Sequence, residues 1–202
     1  MRLVVFGPGY PFRGGIARAT TELVRILAER GHEVLFLTPA RQYPRWLYPG
    51  ISDRDPDSCP PLEQAVVVLD PLDPLSWRRG RRLAKAHRAD AWILPYWTWA
   101  WSGQWWYLLQ RAARPPAAAV VHNPADHDAH IWQRLAARKV LGCCQGLFTH
   151  ARVLERQLEA AYPGIPAGPH RLPAAGGPPP PERAAARREL VLPEDRRVAR
   201  VR

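Results

Sequence analysis

A chain of 202 residues suffices for one well-filled core and is short for two, and its 47% apolar and 23% charged residues are ordinary for a folded globular domain. The formal net charge of +11 invites a polyanionic partner, yet only Lys85 and Lys139 among the 29 basic residues are lysines. Arginine excess beside abundant Ala and Pro reads as the coding bias of a GC-rich genome, and no RNP, KH or helix-turn-helix pattern appears, so nucleic acid is not expected as a partner.

"LVVF" (3–6) is a short apolar run ended by Gly7, the pattern of a strand buried on both faces. Four apolar residues are too few for a signal peptide or a membrane span. Beyond a glycine-rich stretch, Ile16, Ala19, Leu23, Ile26 and Leu27 recur at helical spacing, with Gly31 placed to end the helix. "EVLFLTP" (33–39) then reads as a second strand, which completes a βαβ unit and implies a parallel sheet. A Pro- and Asp-rich loop (40–62) leads to the strand "AVVVLD" (65–70), a basic amphipathic helix from Pro74 to Ala89, the strand "AWILPY" (91–96), a Trp-rich loop and a helix near 103–113. "AAAVVHN" (117–123) is a fifth strand, 129–141 a helix, "GLFTH" (146–150) a sixth strand and 151–162 a helix. The expected fold is an α/β Rossmann-like doubly wound parallel sheet of about six strands with helices on both faces. From Tyr162 the sequence is dense in Pro and Gly and reads as a connecting segment, which suggests a domain at 1–172 and, at 173–202, a connector with the truncated start of a second domain. Cys59, Cys143 and Cys144 give neither a disulfide framework nor a C-x-x-C spacing, so the expected compartment is a reducing cytoplasm.

In an open α/β sheet the ligand crevice lies at the carboxyl ends of the strands, and "FGPGYPFRGGIAR" (6–18) stands there. Gly14 and Gly15, just before the helix, leave its first N–H groups open to an anion such as phosphate. The stretch is neither a dinucleotide fingerprint, since the third glycine position is Phe12, nor a P-loop, since no Gly-Lys-Ser/Thr follows. A surface turn without a ligand is the other reading of the same residues.

"GPGYPFRGGIARATTELVRILAERGHEVLFLTP", "DAWILPYWTWAW", "VVHNPADHDAH" and "LFTHARVLERQLEAAYPGIPAGPHRLP" together resemble, in order and spacing, the amino-terminal domain of the GT-B glycosyltransferases of family 4, over roughly residues 1–190. The resemblance implies retaining transfer of a sugar from a nucleotide-sugar to a glycan, lipid or small acceptor, with no metal or other cofactor. The leaving diphosphate takes the acceptor proton in the mechanism usually proposed for that family. It also implies that His122, after the fifth strand, contacts the transferred sugar without acting as a general base, and that Gly14, Gly15, Asn123 and His127 bind the donor diphosphate or the acceptor. The match is interrupted at Ala125 and by Asp128 where the family carries Glu.

His122, His127, His130 and Asp128 also raise the question of zinc, but their spacing lacks the helical H-x3-H geometry, and no metal is expected. His150 reads as a packing or hydrogen-bonding residue. Six of the nine tryptophans fall between Trp92 and Trp106, and they serve as satellite core, an acceptor platform or a membrane contact. Arg78, Arg79, Arg81, Arg82 and Lys85 form either a solvated helix face or a patch for anionic lipid, so peripheral contact with the inner face of a membrane is expected alongside the cytoplasm. The family's second, carboxyl-terminal Rossmann domain with its E-x7-E motif is expected to be missing, because Glu182 and Glu189 are separated by six residues and not seven. The chain is therefore expected to be truncated and inactive alone. A non-catalytic α/β module that binds a phosphorylated ligand or an anionic membrane surface is the alternative.

Overall fold

A computed structural model describes residues 1–42, 52–54, 62–110, 114–123 and 130–170, and beyond them Glu182, Ala185, Arg187 and Arg188. The chain divides into two units, Met1–Leu172 and Pro173–Arg202, and the architecture below is that of the first.

The elements alternate as β1 (Arg2–Phe6), α1 (Gly15–Glu29), β2 (Glu33–Pro39), β3 (Ala65–Leu69), α2 (Pro74–Ala86), β4 (Ala91–Tyr96), a 3-10 turn (Trp99–Trp101), α3 (Ser102–Leu109), β5 (Ala117–Val121), α4 (Ile131–Leu141), β6 (Gly146–Thr149), α5 (Arg152–Ala161) and β7 (Ala167–Pro169). The strands form one parallel sheet in the order β3-β2-β1-β4-β5-β6-β7. The Rossmann-like fold read from the sequence is present, with a seventh strand in addition to the six expected. β7 lies inside the stretch read as connector. Its three residues, Ala-Gly-Pro, carry no apolar alternation, and the backbone makes the pairing: Leu147 N–H donates to Pro166 O at 2.9 Å and His170 N–H to Thr149 O at 2.6 Å.

Local signals explain the helix limits. α1 ends in a Schellman arrangement, where Gly31 takes φ 79°, its N–H donates to Ala28 O and His32 N–H donates to Leu27 O. α2 starts at Asp73, whose side chain accepts from Leu75 N–H, with Pro74 in the first helical position where no N–H is needed.

The chain winds from β1 outward to β3, then crosses to β4 and proceeds the other way. With right-handed crossovers this puts α1 on one face and the later helices on the other. The side chains agree. Leu3, Val5, Val34 and Phe36 pack with Val24 and Leu27 of α1. The alternate residues Val4, Phe6, Leu37 and Leu94 pack with Ala84 of α2, Leu108 of α3, Val140 of α4 and Leu158 of α5.

That second core settles most of the tryptophan question. Trp92, Trp101 and Trp105 are fully buried, with Trp101 and Trp105 rings 5.2 Å apart and Trp92 edge-on to Phe6 at 5.3 Å. Trp97 is buried as well, and partly buried Trp106 carries the Lys139 ammonium 3.9 Å over its ring. Of the six, Trp99 is the exposed one, edge-on to exposed Trp132 at 4.6 Å.

A proline in a central strand is unusual, and Pro95 explains where the sheet opens. Trp92 N–H and the Tyr96 carbonyl bond toward β5, so the alternate position, Pro95, faces β1 and has no N–H to offer. The β1–β4 pairing accordingly reaches only Val5↔Ile93, whereas β4–β5 continues to Tyr96↔Val121. Gly7, at φ 132°, fills the gap against the proline ring. A Cβ there would stand 2.6 Å from Pro95 Cγ.

Candidate functional site

The reversal of strand order falls between β1 and β4, so the carboxyl edge of these strands is the crevice that an open α/β sheet offers to a ligand. The glycine bend borders it and is held from below. Tyr10 N–H donates to the Thr21 hydroxyl at 2.9 Å, and that hydroxyl donates to Ala17 O at 2.8 Å. Phe12 is buried under the Arg54 guanidinium, 5.3 Å from its ring centre, while Arg13 donates through its N–H to Asp53 O at 2.8 Å and through Nε to Arg54 O at 2.9 Å.

Gly14 is the N-cap of α1 at φ 106°, with no side-chain cap and no acidic residue in the first turn. Both Gly14 and Gly15 are exposed, and a Cβ on either would meet nothing within 4 Å. The helix start therefore presents backbone donors and the positive end of the dipole to open space. Gly7 and Gly9 are glycines for a different reason, close packing, since a Cβ on Gly9 would stand 2.6 Å from the Phe36 ring.

His122 is the first residue past β5, and its N–H donates to Tyr96 O at 2.8 Å. It lines a narrow hollow with Ala19, Thr20 and Leu23 of α1, Pro95 and His170. Ala19 is one helical turn from Gly15, about 6 Å along the axis, so the glycine helix start and His122 share the α1 side of the carboxyl edge. Asn123 follows His122 at the same edge. His127 lies outside the described residues, as do Ala125 and Asp128.

Two further histidines complete the edge, each one residue beyond a strand: His150 after β6 and His170 after β7. His150 Nε2 is 3.0 Å from His122 Nδ1, and His150 Nδ1 is 2.9 Å from the carbonyl oxygen of His170. Ring centres are 4.7 Å apart for His122–His150 and 5.3 Å for His150–His170. Burial, and then the nearby imidazoles of His150 and His170, push the His122 pKa down to about 4, and burial followed by His150 lowers that of His170. His122 is thus a neutral ring at ordinary pH, fit to make hydrogen bonds and a poor proton acceptor. Among the described residues no group of three His, Cys, Asp or Glu side chains converges as metal ligands would. The sequence pointed to His122 and treated His150 as a hydrogen-bonding residue. His170 was missed because the strand that positions it was missed.

Two larger hollows lie elsewhere. One of about 560 Å³, at the opposite, amino-terminal end of the strands, is lined by Leu109, Gln110, Arg114, Cys143 and Gln145. Arg114 there is consumed by structure, donating to the carbonyls of Leu109, Pro115 and Cys143 and to Gln145 Oε1. The other, about 430 Å³, is lined by Arg78, Arg81, Arg82 and Lys85 of α2 and Tyr107 of α3. No helix among the described residues is long and apolar enough to cross a membrane.

The solved structures similar to this chain include an alpha-glucosyltransferase in complex with UDP and a 13-mer DNA containing a HMU base (13% identity, TM-score 0.56, 86% of this chain and 43% of that one). The UDP-GlcNAc 2-epimerase from Methanocaldococcus jannaschii is also similar (10% identity, TM-score 0.50, 79% of this chain and 42% of that one). At such identities the likeness concerns the fold, and the chain spans less than half the length of either protein. No curated protein matches in sequence. The model of Glycosyltransferase Family 4 matches residues 13–173, from the glycine helix start through the histidine edge. By that match, and with the Rossmann-like sheet of GT-B glycosyltransferases, the chain belongs to Glycosyltransferase Family 4.

Proposed function

We propose that this chain is the acceptor-side half of a retaining glycosyltransferase that moves a sugar from a nucleotide-sugar donor to a glycan, lipid or small acceptor. The observation that carries the reading is the pairing, on one edge, of an uncapped glycine helix start with a neutral histidine. The helix start at Gly14 and Gly15 suits the anionic diphosphate or a charged acceptor. His122 suits a sugar hydroxyl, with Asn123 and His127 beside it. A histidine held near 4 is a weak base at neutral pH, which fits a reaction where the leaving diphosphate takes the acceptor proton and the protein positions the sugars. The nucleotide-sugar is the substrate in this reading, and no metal or cofactor enters it. The UDP in the solved glucosyltransferase makes uridine nucleotides the first donors to test.

In this reading the donor site is completed by a second Rossmann domain, so the test joins this chain to a family carboxyl-terminal domain and measures nucleotide-sugar hydrolysis and transfer. Gly15→Val and His122→Ala are each expected to remove most of the activity; a pair of unaffected variants would overturn the site. The fold alone does not select transfer, since the epimerase shares it.

A second reading rests on the α2 hollow. Arg78, Arg82 and Lys85 make no ion pair with a described residue, and Leu75 and Leu83 on the same helix are exposed. Cationic and apolar groups together fit an anionic membrane surface, where a lipid acceptor would reside. Binding to anionic vesicles that survives His122→Ala while no sugar is transferred would favour a non-catalytic module.

A further inference from the structure

His122, His150 and His170 each follow the end of neighbouring strands, and the register Val121↔Thr149 and Thr149↔Pro169 sets them in one row. The polarity of that row is fixed at one end. The backbone oxygen of His170 only accepts, so His150 Nδ1, 2.9 Å from it, carries the hydrogen. In a neutral imidazole the other nitrogen then bears a lone pair. His150 Nε2 accepts, and His122 Nδ1, 3.0 Å away, donates. His122 is left with its hydrogen on Nδ1 and a lone pair on Nε2, opposite to the tautomer that free histidine favours. His122 Nε2 has no hydrogen-bond partner among the described residues and is not among the sealed polar atoms.

We propose that His150 is a positioning residue: anchored on the His170 carbonyl, it holds His122 in the Nδ1–H tautomer so that Nε2 meets the cleft as a hydrogen-bond acceptor for a substrate hydroxyl. The substrate half of this statement rests on the transfer reading above, and the tautomer half does not. Glutamine at position 150 keeps the polarity, because its side-chain oxygen accepts from His122 Nδ1–H, whereas leucine of similar bulk removes it.

The test is long-range 15N–1H correlation of the ring-labelled chain at pH 8, followed by kinetics of the chain joined to a family carboxyl-terminal domain. The native protein is expected to show a protonated Nδ1 and a bare Nε2 on His122, retained in His150→Gln and lost or mixed in His150→Leu. kcat is expected to fall about tenfold in His150→Leu and to stay near native in His150→Gln, with the proportion of one hydrogen bond. A native His122 with its hydrogen on Nε2, or an unchanged tautomer in His150→Leu, overturns the proposal, and the native spectrum decides even if the leucine variant does not fold. The expected tautomers with equal kcat in all three proteins overturn the positioning role, whereas a His122→Ala enzyme of native activity overturns the transfer reading instead.

Discussion

Acidification should weaken this protein through His122 in a predictable window. The ring has a pKa of about 4 in the folded protein against the ordinary 6.5. Between those values the unfolded chain binds a proton that the folded chain refuses, so stability from this group is complete above 6.5 and declines as pH falls toward 4. For one such group the loss between pH 7.5 and pH 5 is roughly 2 kcal/mol, which for a domain of this size lowers Tm by about 4–8 °C. His170 is shifted in the same direction, so the native change alone does not isolate the effect. The useful quantity is the difference between the native chain and His122→Gln, which cannot titrate there. Urea unfolding followed by the fluorescence of the buried tryptophans at both pH values measures it. The native chain should lose roughly 2 kcal/mol more than the variant on going to pH 5. Equal losses would refute the argument, showing that His122 is solvated well enough to protonate normally.

Two glycines of the bend should respond oppositely to alanine. Gly7→Ala meets both a positive φ and the Pro95 ring and should cost about 2–4 kcal/mol, while Gly15→Ala points into open space and should leave chemical denaturation within about 0.5 kcal/mol of native or slightly above. Among the tryptophans, Trp105→Ala should cost about 3–5 kcal/mol by cavity formation and Trp99→Ala less than about 1 kcal/mol, which thermal unfolding distinguishes. Co-sedimentation with phosphatidylglycerol vesicles should fall at least tenfold in the Arg78→Glu, Arg82→Glu double variant and with added salt, with no binding to phosphatidylcholine.

The doubly wound fold was readable because its strands and helices announce themselves separately: continuous apolar runs such as Leu3–Phe6 and Val34–Leu37, and 3.6-residue periodicity ended by Gly31. β7 was not, because a three-residue strand held by backbone bonds alone leaves no mark in side-chain pattern. The tryptophan segment was ambiguous in sequence for another reason. Trp101 and Trp105 are one helical turn apart and point inward, but Trp97, Trp99 and Trp106 break the period, and only the packing of α3 against the sheet decides which rings are covered. Within the candidate site, the positions of Gly14, Gly15 and His122 after β1 and β5 were legible. The histidine row was not, since it depends on three strands stopping level with one another, a property of register between segments far apart in the chain.

Pro95 bears on how anything enters this crevice. Because the imide nitrogen cannot complete the ladder toward β1, the seam between the two halves of the winding is written into the covalent chain and does not wait for a visitor to prise it apart. Exchanging that proline for a residue with a free amide would offer the two strands a stitch they now lack, and would narrow the mouth before any side chain in it had changed.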